Sequence, residues 1–196
     1  MPRPRKLDRE EALEAALGVF WRKGYEGTSY ADLVAATGAE RPALYAAFGN
    51  KEALFRATLE RYGTHYGHYV WDALACETAL EVAEKVLTGA AELATRFPDR
   101  AGCFGINGAL AGSDEAEPAR SALIEWRASG EAALRDRFDR AKQQGDLPAD
   151  ADSAVLAAYV LAVTHGIAVQ AKAGHSKEML LGVARQALAS FPRKAK

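Results

Sequence analysis

The stretch from Thr28 to Lys51, TSYADLVAATGAERPALYAAFGNK, constrains the fold more than any other part of the chain. It contains two short apolar-periodic runs joined at Gly38, each with its own start signal. Thr28 or Ser29 opens the first run, and Ser29 with Asp32 is a capping signature. Thr37-Gly38 closes it. Arg41-Pro42 opens the second, because the N–H that proline lacks would be unpaired in a first helical turn anyway. Helices this short are marginal alone in water, so each must be held against something else. Leu33 and Val34 point inward from the first run, and Leu44, Ala47 and Phe48 from the second. Arg41, Ala43, Tyr45 and Ala46 are left outward. The pair therefore holds one helix rigidly across another, where a partner can reach it.

The flanks extend the same logic. Asp8 is a helix N-cap, with Glu11 placed to complete a capping box. Leu13, Ala16, Leu17, Phe20 and Trp21 follow at helical spacing, and Gly24 is the stop. Asn50 caps a fourth helix that opens with Lys51 and runs through Leu54, Phe55, Leu59 and Tyr62.

GYEGTSYADLVAATG followed by RPALYAAFGNKEALF resembles the helix-turn-helix of TetR-type transcriptional regulators, over about Asp8 to Arg61. The resemblance implies an all-α protein with two parts. Residues 1–50 would be a three-helix DNA-binding domain, and residues 51–196 a larger helical domain that binds ligand and dimerises. In a helix-turn-helix the second helix enters the major groove. Arg41 is the side chain there able to make a bidentate contact to guanine, and Pro42 and Ala43 suit a thymine methyl. The resemblance further implies phosphate contacts from Tyr45 and Lys51, with one from Thr28 at the start of helix two. Backbone N–H groups at the starts of helices two and four can add more. Val34 and Thr37 stand where the family usually has alanine, and Ala46 and Ala47 where larger or polar groups are frequent. Glu40 replaces a serine-like cap; its carboxylate suits a helix N-terminus but repels a nearby phosphate. On the residues alone, a helical hairpin packed in a core, with Tyr45 half buried, stays open.

Composition agrees with an all-α fold. Of 196 residues, 49% are hydrophobic and 26% charged, and only seven prolines interrupt the chain. Net charge is -1, and residues 1–62 hold ten Lys/Arg against nine Asp/Glu. Positive charge for DNA must therefore be placed locally. Arg3, Arg5 and Lys6 form a basic arm for phosphates or the minor groove, or a solubilising tail. Cys76 and Cys103 make no disulfide framework. No signal peptide precedes the charged first helix, and no apolar run reaches the roughly 18 residues that span a membrane. A cytoplasmic, reduced protein is expected.

The remaining chain reads as the regulatory part. After Tyr62 comes an aromatic and histidine stretch (His65, Tyr66, His68, Tyr69, Trp71) interrupted by Gly63 and Gly67. Tyr62 and Tyr66 lie four apart on one face. His65 and His68 have a spacing that permits a metal, but Asp72 is the only carboxylate close by on that helix, which favours ordinary exposed or hydrogen-bonded histidines; no metal or cofactor is expected. A fifth helix spans about Ala79 to Phe97. Residues 101–112, AGCFGINGALAG, suggest a loose, closely packed helix, and the resemblance places such helices along a ligand pocket, which makes Tyr66, Cys103 and Phe104 candidate lining. A few family members sense electrophiles or oxidants through a thiol. Cys103 is a candidate if nearby positive charge or a helix N-terminus lowers its pKa, and otherwise a small buried hydrophobe. The next helix runs to about Gln144. Trp126, one turn from the gap at Gly130, is either a pocket wall or core.

The last two helices, Asp152 to about Ala173 and Ser176 to about Ser190, expose more apolar surface than one core requires. They predict a homodimer joined as a four-helix bundle across a two-fold axis, which matches a palindromic duplex operator. Tyr159 and His165 are polar groups on the first of them. His165 faces a ligand or is a hydrogen-bonded core histidine. The effector these residues suit is small and apolar or aromatic.

No nucleotide loop, metal-spaced cluster, nucleophile elbow or catalytic triad is present, so an enzyme is not expected. The expected function is a ligand-responsive DNA-binding regulator, a repressor released by a small molecule. A helical scaffold for protein partners, with weak or no DNA binding, is the alternative that the near-neutral N-terminal region leaves open.

Overall fold

The computed structural model describes residues 7–107 and 113–193. The Arg3–Lys6 arm and residues 108–112 of the glycine-rich stretch lie outside them. Among the described residues there are helices and turns and no strand, as the composition and spacing predict.

α1, Arg9–Lys23, begins where the Asp8 carboxylate accepts from the backbone N–H of Glu10 and Glu11 at 2.9 and 3.1 Å. It ends at Gly24, whose positive φ of 71° closes the chain onto Phe20. α2, Tyr30–Thr37, has the full Ser29–Asp32 capping box and a left-handed Gly38. Asp32 also takes the Lys23 ammonium at 2.6 Å. That hydrogen bond, with those from Ser29, holds its carboxyl far below the usual carboxylate range. The end of α1 and the start of α2 are thereby pinned together. α3, Arg41–Phe48, starts with Pro42 in its first turn. α4, Lys51–His65, starts where Asn50 accepts from Ala53 at 2.8 Å.

α4 passes straight through Gly63 and breaks only at Tyr66–His68, after which α5 covers Tyr69–Ala73. At Gly63 the Trp126 indole of the later chain comes close, so that a Cβ there would stand 3.1 Å from its ring nitrogen. α6, Ala79–Arg96, is capped by a Thr78–Glu81 box and followed by a 3-10 turn at Pro98–Arg100. The described residues of the glycine-rich stretch contribute a single turn, α7, Phe104–Asn107. A 3-10 turn at Asp114–Ala116 leads into α8, Glu117–Gln143. α9, Ser153–Lys172, and α10, Lys177–Ala189, complete the chain.

Two cores result. One joins α5, α6, the second half of α8, α9 and α10 around Val86, Leu87, Leu134, Phe138, Val160 and Leu180. The other starts in α1–α4 with Leu17, Phe20, Trp21, Leu33, Leu44 and Phe55 and runs on into Phe104 and Leu123. It does not stop at residue 50. Phe55 and Tyr62 on α4 meet Phe104 at ring distances of 5.3 and 5.5 Å. Burying rings of this kind contributes about 1.5–3 kcal/mol each, so the first three helices lean on the rest of the protein.

α9 corrects the expectation that no run is apolar enough to span a membrane. It is 20 residues long and contains an 18-residue stretch with a mean hydropathy of 1.7, which meets that criterion by length and composition alone. The helix packs between α6, α8 and α10.

Candidate nucleic-acid interface

α3 is held by Leu44 and Phe48, which are buried in the α1–α4 core, and by the partly buried Ala47. Arg41, Pro42, Ala43, Tyr45 and Ala46 are all exposed. The helix thus presents one uninterrupted face to solvent, with 39% of Tyr45 accessible. Glu40, at the N-cap, is exposed and makes no side-chain cap bond.

The exposed face is organised by a residue on the neighbouring helix. The Tyr30 ring, at the start of α2, stacks on the Tyr45 ring with centroids 5.2 Å apart and planes 23° from parallel. The Arg41 guanidinium lies 4.1 Å from the Tyr30 centroid and 5.5 Å from that of Tyr45. It also donates to the Tyr45 hydroxyl at 3.3 Å. Nothing in the spacing of the sequence points to Tyr30, because the cluster forms between helices.

Two of the expected phosphate anchors sit differently. Thr28 is 1% exposed, and its hydroxyl donates to the Gly24 carbonyl at 2.7 Å. It is a structural bond closing the α1–α2 turn, not a free donor for DNA. Lys51 is partly buried, with its ammonium 4.5 Å from the centroid of the Tyr25 ring. Burial pulls its pKa down, and the Glu26 and Glu115 carboxylates act against that.

The motif is wired to the rest of the molecule through α1. Arg61 on α4 donates to Glu14 at 2.7 Å and to Glu10 at 2.6 Å, and the Tyr66 hydroxyl donates to Glu14 at 2.5 Å. The Trp21 indole N–H donates to the Gly102 carbonyl at 3.2 Å. Arg100 lies 5.4 Å from the Trp21 ring and 4.5 Å from Phe97. α1 is therefore gripped along its length, at Glu10 and Glu14 by α4 and its break and at Trp21 by the loop that leads into α7.

Comparison with known proteins decides what this motif is. Residues 12–58 match the family model of bacterial regulatory proteins of the tetR family, and residues 81–188 match a tetracyclin repressor-like C-terminal domain. The chain belongs to the TetR family. It is 36% identical to the HTH-type transcriptional repressor ComR of Escherichia coli (strain K12), covering 99% of this chain and 93% of that one. It is 29% identical to the repressor BdcR of the same strain, over 94% of this chain and 89% of that one. A solved cysteine mutant of the TetR-family regulator CifR, complexed with 26-base-pair operator DNA, superposes with a TM-score of 0.91 at 39% identity, covering 97% of this chain and all of that one. The protein is a DNA-binding transcriptional regulator.

In this TetR-family chain four of the six residues expected to line an effector site come together around one buried side chain, Tyr62. Its ring lies 6.0 Å from Tyr66, 5.5 Å from Phe104 and 5.8 Å from Trp126, and its hydroxyl is 3.1 Å from the Cys103 sulfur. Burial pushes the Tyr62 phenol well up. It does the same to Cys103, against smaller opposing effects from the Tyr62 hydroxyl and the backbone N–H groups of Gly105 and Ile106. The thiol is thus shifted in the direction opposite to the lowering that a thiolate sensor requires.

Trp126 does not wall a gap at Gly130, which faces open space. Its indole fills the space left by three other glycines. A Cβ on Gly105 would stand 2.4 Å from the indole, one on Gly63 3.1 Å, and one on Gly67 3.4 Å. Tyr159 is also elsewhere: it is 37% exposed, and its hydroxyl meets Ser190 at 3.1 Å at the end of α10. The outward side of α9 carries it away from Tyr62. His165 is half buried, and burial, followed by the charge of Arg127, holds its pKa below the usual histidine value. Arg127 in turn donates to the Gly105 carbonyl at 3.3 Å. A separate groove of about 460 Å³ lies between the α4–α5 break and α6, bordered by Tyr66, His68, Tyr69, Glu92, Arg96 and Lys177.

Proposed function

We propose that this TetR-family protein is a repressor that binds a palindromic operator as a homodimer and is released from it by a small apolar or aromatic molecule. The observation that carries the reading is the α3 face, on which Arg41, Pro42, Ala43, Tyr45 and Ala46 stand exposed on a helix anchored by Leu44, Phe48 and the partly buried Ala47. Core packing gives no reason for such a face. Residues 1–50 act as the reading head and residues 51–196 as the regulatory part, with α4 as the shared element. Pro42 and Ala43 meet base edges, Tyr45 meets a phosphate, and the start of α4 at Lys51 adds a backbone contact. The protein works in the cytoplasm with its DNA.

Dimerisation runs through α9 and α10. Val155, Tyr159 and Val169 are exposed on α9 and Met179 on α10, an apolar surface with i, i+3/i+4 spacing suited to a second copy. The effector enters at the Tyr62 cluster. The slot formed by Gly63, Gly67 and Gly105 holds a flat indole now, and a flat effector that displaces Trp126 would find a site already shaped for it. Displacement would disturb the contacts around Gly102 and Tyr66 that grip α1, and so shift the population away from the DNA-binding form.

The test is salt-dependent binding of the purified protein to duplexes selected from a random pool, repeated with hits from a thermal-shift screen of aromatic compounds. Enrichment of a two-fold symmetric sequence, weakened by a hit that raises the melting temperature, is the expected result. Absence of DNA enrichment would sink the proposal.

A further inference from the structure

The Arg41 guanidinium does not project freely from the tip of α3. It is laid back over the Tyr30 ring, 4.1 Å from its centroid, at the start of α2. It also donates to Tyr45, whose ring is stacked on Tyr30. One planar cation thus rests against two phenols from two helices. The Tyr45 oxygen accepts from Arg41 and also shares a hydrogen bond with the Tyr30 hydroxyl. The Arg41 hydrogen bond also draws that phenol below the usual tyrosine range.

Position then decides what the cation can reach. In helix-turn-helix docking the first helix of the pair crosses the DNA backbone, while the second enters the groove. A guanidinium held over the start of α2 is on the backbone side of the motif. With one N–H on Tyr45 and one face on Tyr30, it keeps further N–H groups, enough for two oxygens of a phosphate. Stacking also removes rotamer freedom before DNA arrives, so less is lost on binding.

We propose that Tyr30, Arg41 and Tyr45 form a single clamp for a DNA phosphate, in which Tyr30 is the positioning residue and Arg41 anchors the backbone instead of reading guanine. This rests on the DNA-binding reading above. It leaves sequence discrimination to the apolar faces of Pro42, Ala43 and Ala46 and to the shape of the duplex.

The probe is the duplex that full-length wild-type protein enriches from a randomised 26-base-pair pool, the operator length in the CifR complex. Arg41→Ala, Tyr30→Leu and Tyr30→Phe are compared by dissociation constant across salt concentrations, and each variant repeats the selection. Arg41→Ala is expected to weaken the selected duplex and a scrambled one by the same factor, roughly tenfold, and to leave the enriched bases unchanged. Its salt slope should flatten by about 0.9 for each phosphate that the protein no longer neutralises. Tyr30→Leu should flatten the slope as Arg41→Ala does, and Tyr30→Phe, which keeps the ring, should retain the wild-type slope. Loss of preference for one base pair in the Arg41→Ala pool, with the wild-type slope, would overturn the clamp, as would a wild-type slope in Tyr30→Leu. If Tyr30→Leu melts too low to assay, the Arg41→Ala selection still separates backbone anchoring from guanine reading. A wild-type protein that enriches no sequence and binds DNA without salt dependence defeats the DNA reading itself, and the clamp with it.

Discussion

The Tyr66 hydroxyl donates to the Glu14 carboxylate at 2.5 Å, and this bond ties the broken end of α4 to the middle of α1. Arg61 holds the other oxygen of the same carboxylate at 2.7 Å. Glu14 is therefore the point at which the helix carrying α2 is fastened to the regulatory part. Tyr66 in turn stands against Trp21 and Phe97, at ring distances of 5.4 and 5.7 Å. A disturbance at the α4 break has a short route to α1.

Removing either partner should be measurable. Tyr66→Phe and Glu14→Gln are each expected to cost about 1–1.5 kcal/mol, the range for a hydrogen bond to a charged group that keeps some solvent. The double variant should lose less than the sum, because the Tyr66–Glu14 bond is common to both changes, although Glu14→Gln also weakens the Arg61 pair. Urea unfolding of the four proteins checks this, and strict additivity would show that the bond contributes nothing.

The same carboxylate makes stability depend on pH. Burial alone would raise the Glu14 pKa, but the hydrogen bonds from Arg61 and Tyr66 outweigh it, and the folded value lies below the ordinary one. A depressed carboxylate stabilises the fold fully above its unfolded pKa, near 4.3, and that contribution is lost as pH falls from there through the folded value. The stability gap between wild type and Glu14→Gln should therefore be constant from pH 7 to about 5.5 and shrink toward pH 3. A gap that widened on acidification would contradict the assignment.

Gly105 and Trp126 predict a steric effect. Alanine at 105 would bring a Cβ to 2.4 Å from the indole. The ring has Gly63 and Gly67 behind it and cannot retreat without opening α4. Gly105→Ala should destabilise by about 1–3 kcal/mol, as overpacked cores do, and shift the tryptophan emission as the ring is pushed toward water. In a Trp126→Leu background the same alanine should cost far less. An equal cost in both backgrounds would show that the loss comes from the α7 backbone and not from the indole.

The legible part of the molecule was the local part. Ser29 with Asp32, Gly38, Pro42 and Asn50 all mark boundaries through bonds made within four residues, and each appears in the structure where the spacing places it. The alternation of Leu44 and Phe48 with outward residues is likewise a property of one helix. Thr28 misleads because its burial depends on how α1 meets α2, which no pattern within either helix encodes. Trp126 misleads for a related reason: the glycines that make room for it lie on α4, at the α4–α5 break and on α7, not one turn away on α8. Tyr30 was invisible because its partners sit across a turn in space. Contacts between elements decide the site, and a single sequence reports them only through family resemblance.

Cys103 should behave as a sheltered thiol. Burial raises its pKa, and only the Tyr62 hydroxyl, backbone N–H groups and the charge of Arg127 act in the other direction. At pH 7 the thiolate fraction should be below that of a free cysteine, whose pKa is about 8.5. Alkylation by iodoacetamide should therefore be slower at Cys103 than at the same residue in urea-unfolded protein, by about tenfold or more once access is included. Peptide mapping after timed quenching reads the two cysteines separately. Faster alkylation in the folded protein would restore the thiolate-sensor reading.

The apolar side of α9 predicts the assembly. Val155 is 62% exposed and Val169 49%, and Ala158, Ala162 and Gly166 between them leave a smooth strip at i, i+3/i+4 spacing. The opposite side, with Ala157, Val160, Leu161 and Ile167, is spent on the protein's own core. Ala162→Glu puts a carboxylate in the middle of the strip without touching that core. In a monomer the new charge stays in water and should leave the melting temperature nearly unchanged at low protein concentration. In a dimer it would be buried opposite its own symmetry mate, at a cost of several kcal/mol. Sedimentation should then show monomer at concentrations where the wild type is dimeric, and affinity for a two-half-site duplex should fall by about a hundredfold or more. A variant that stays dimeric and keeps its affinity would move the interface off α9.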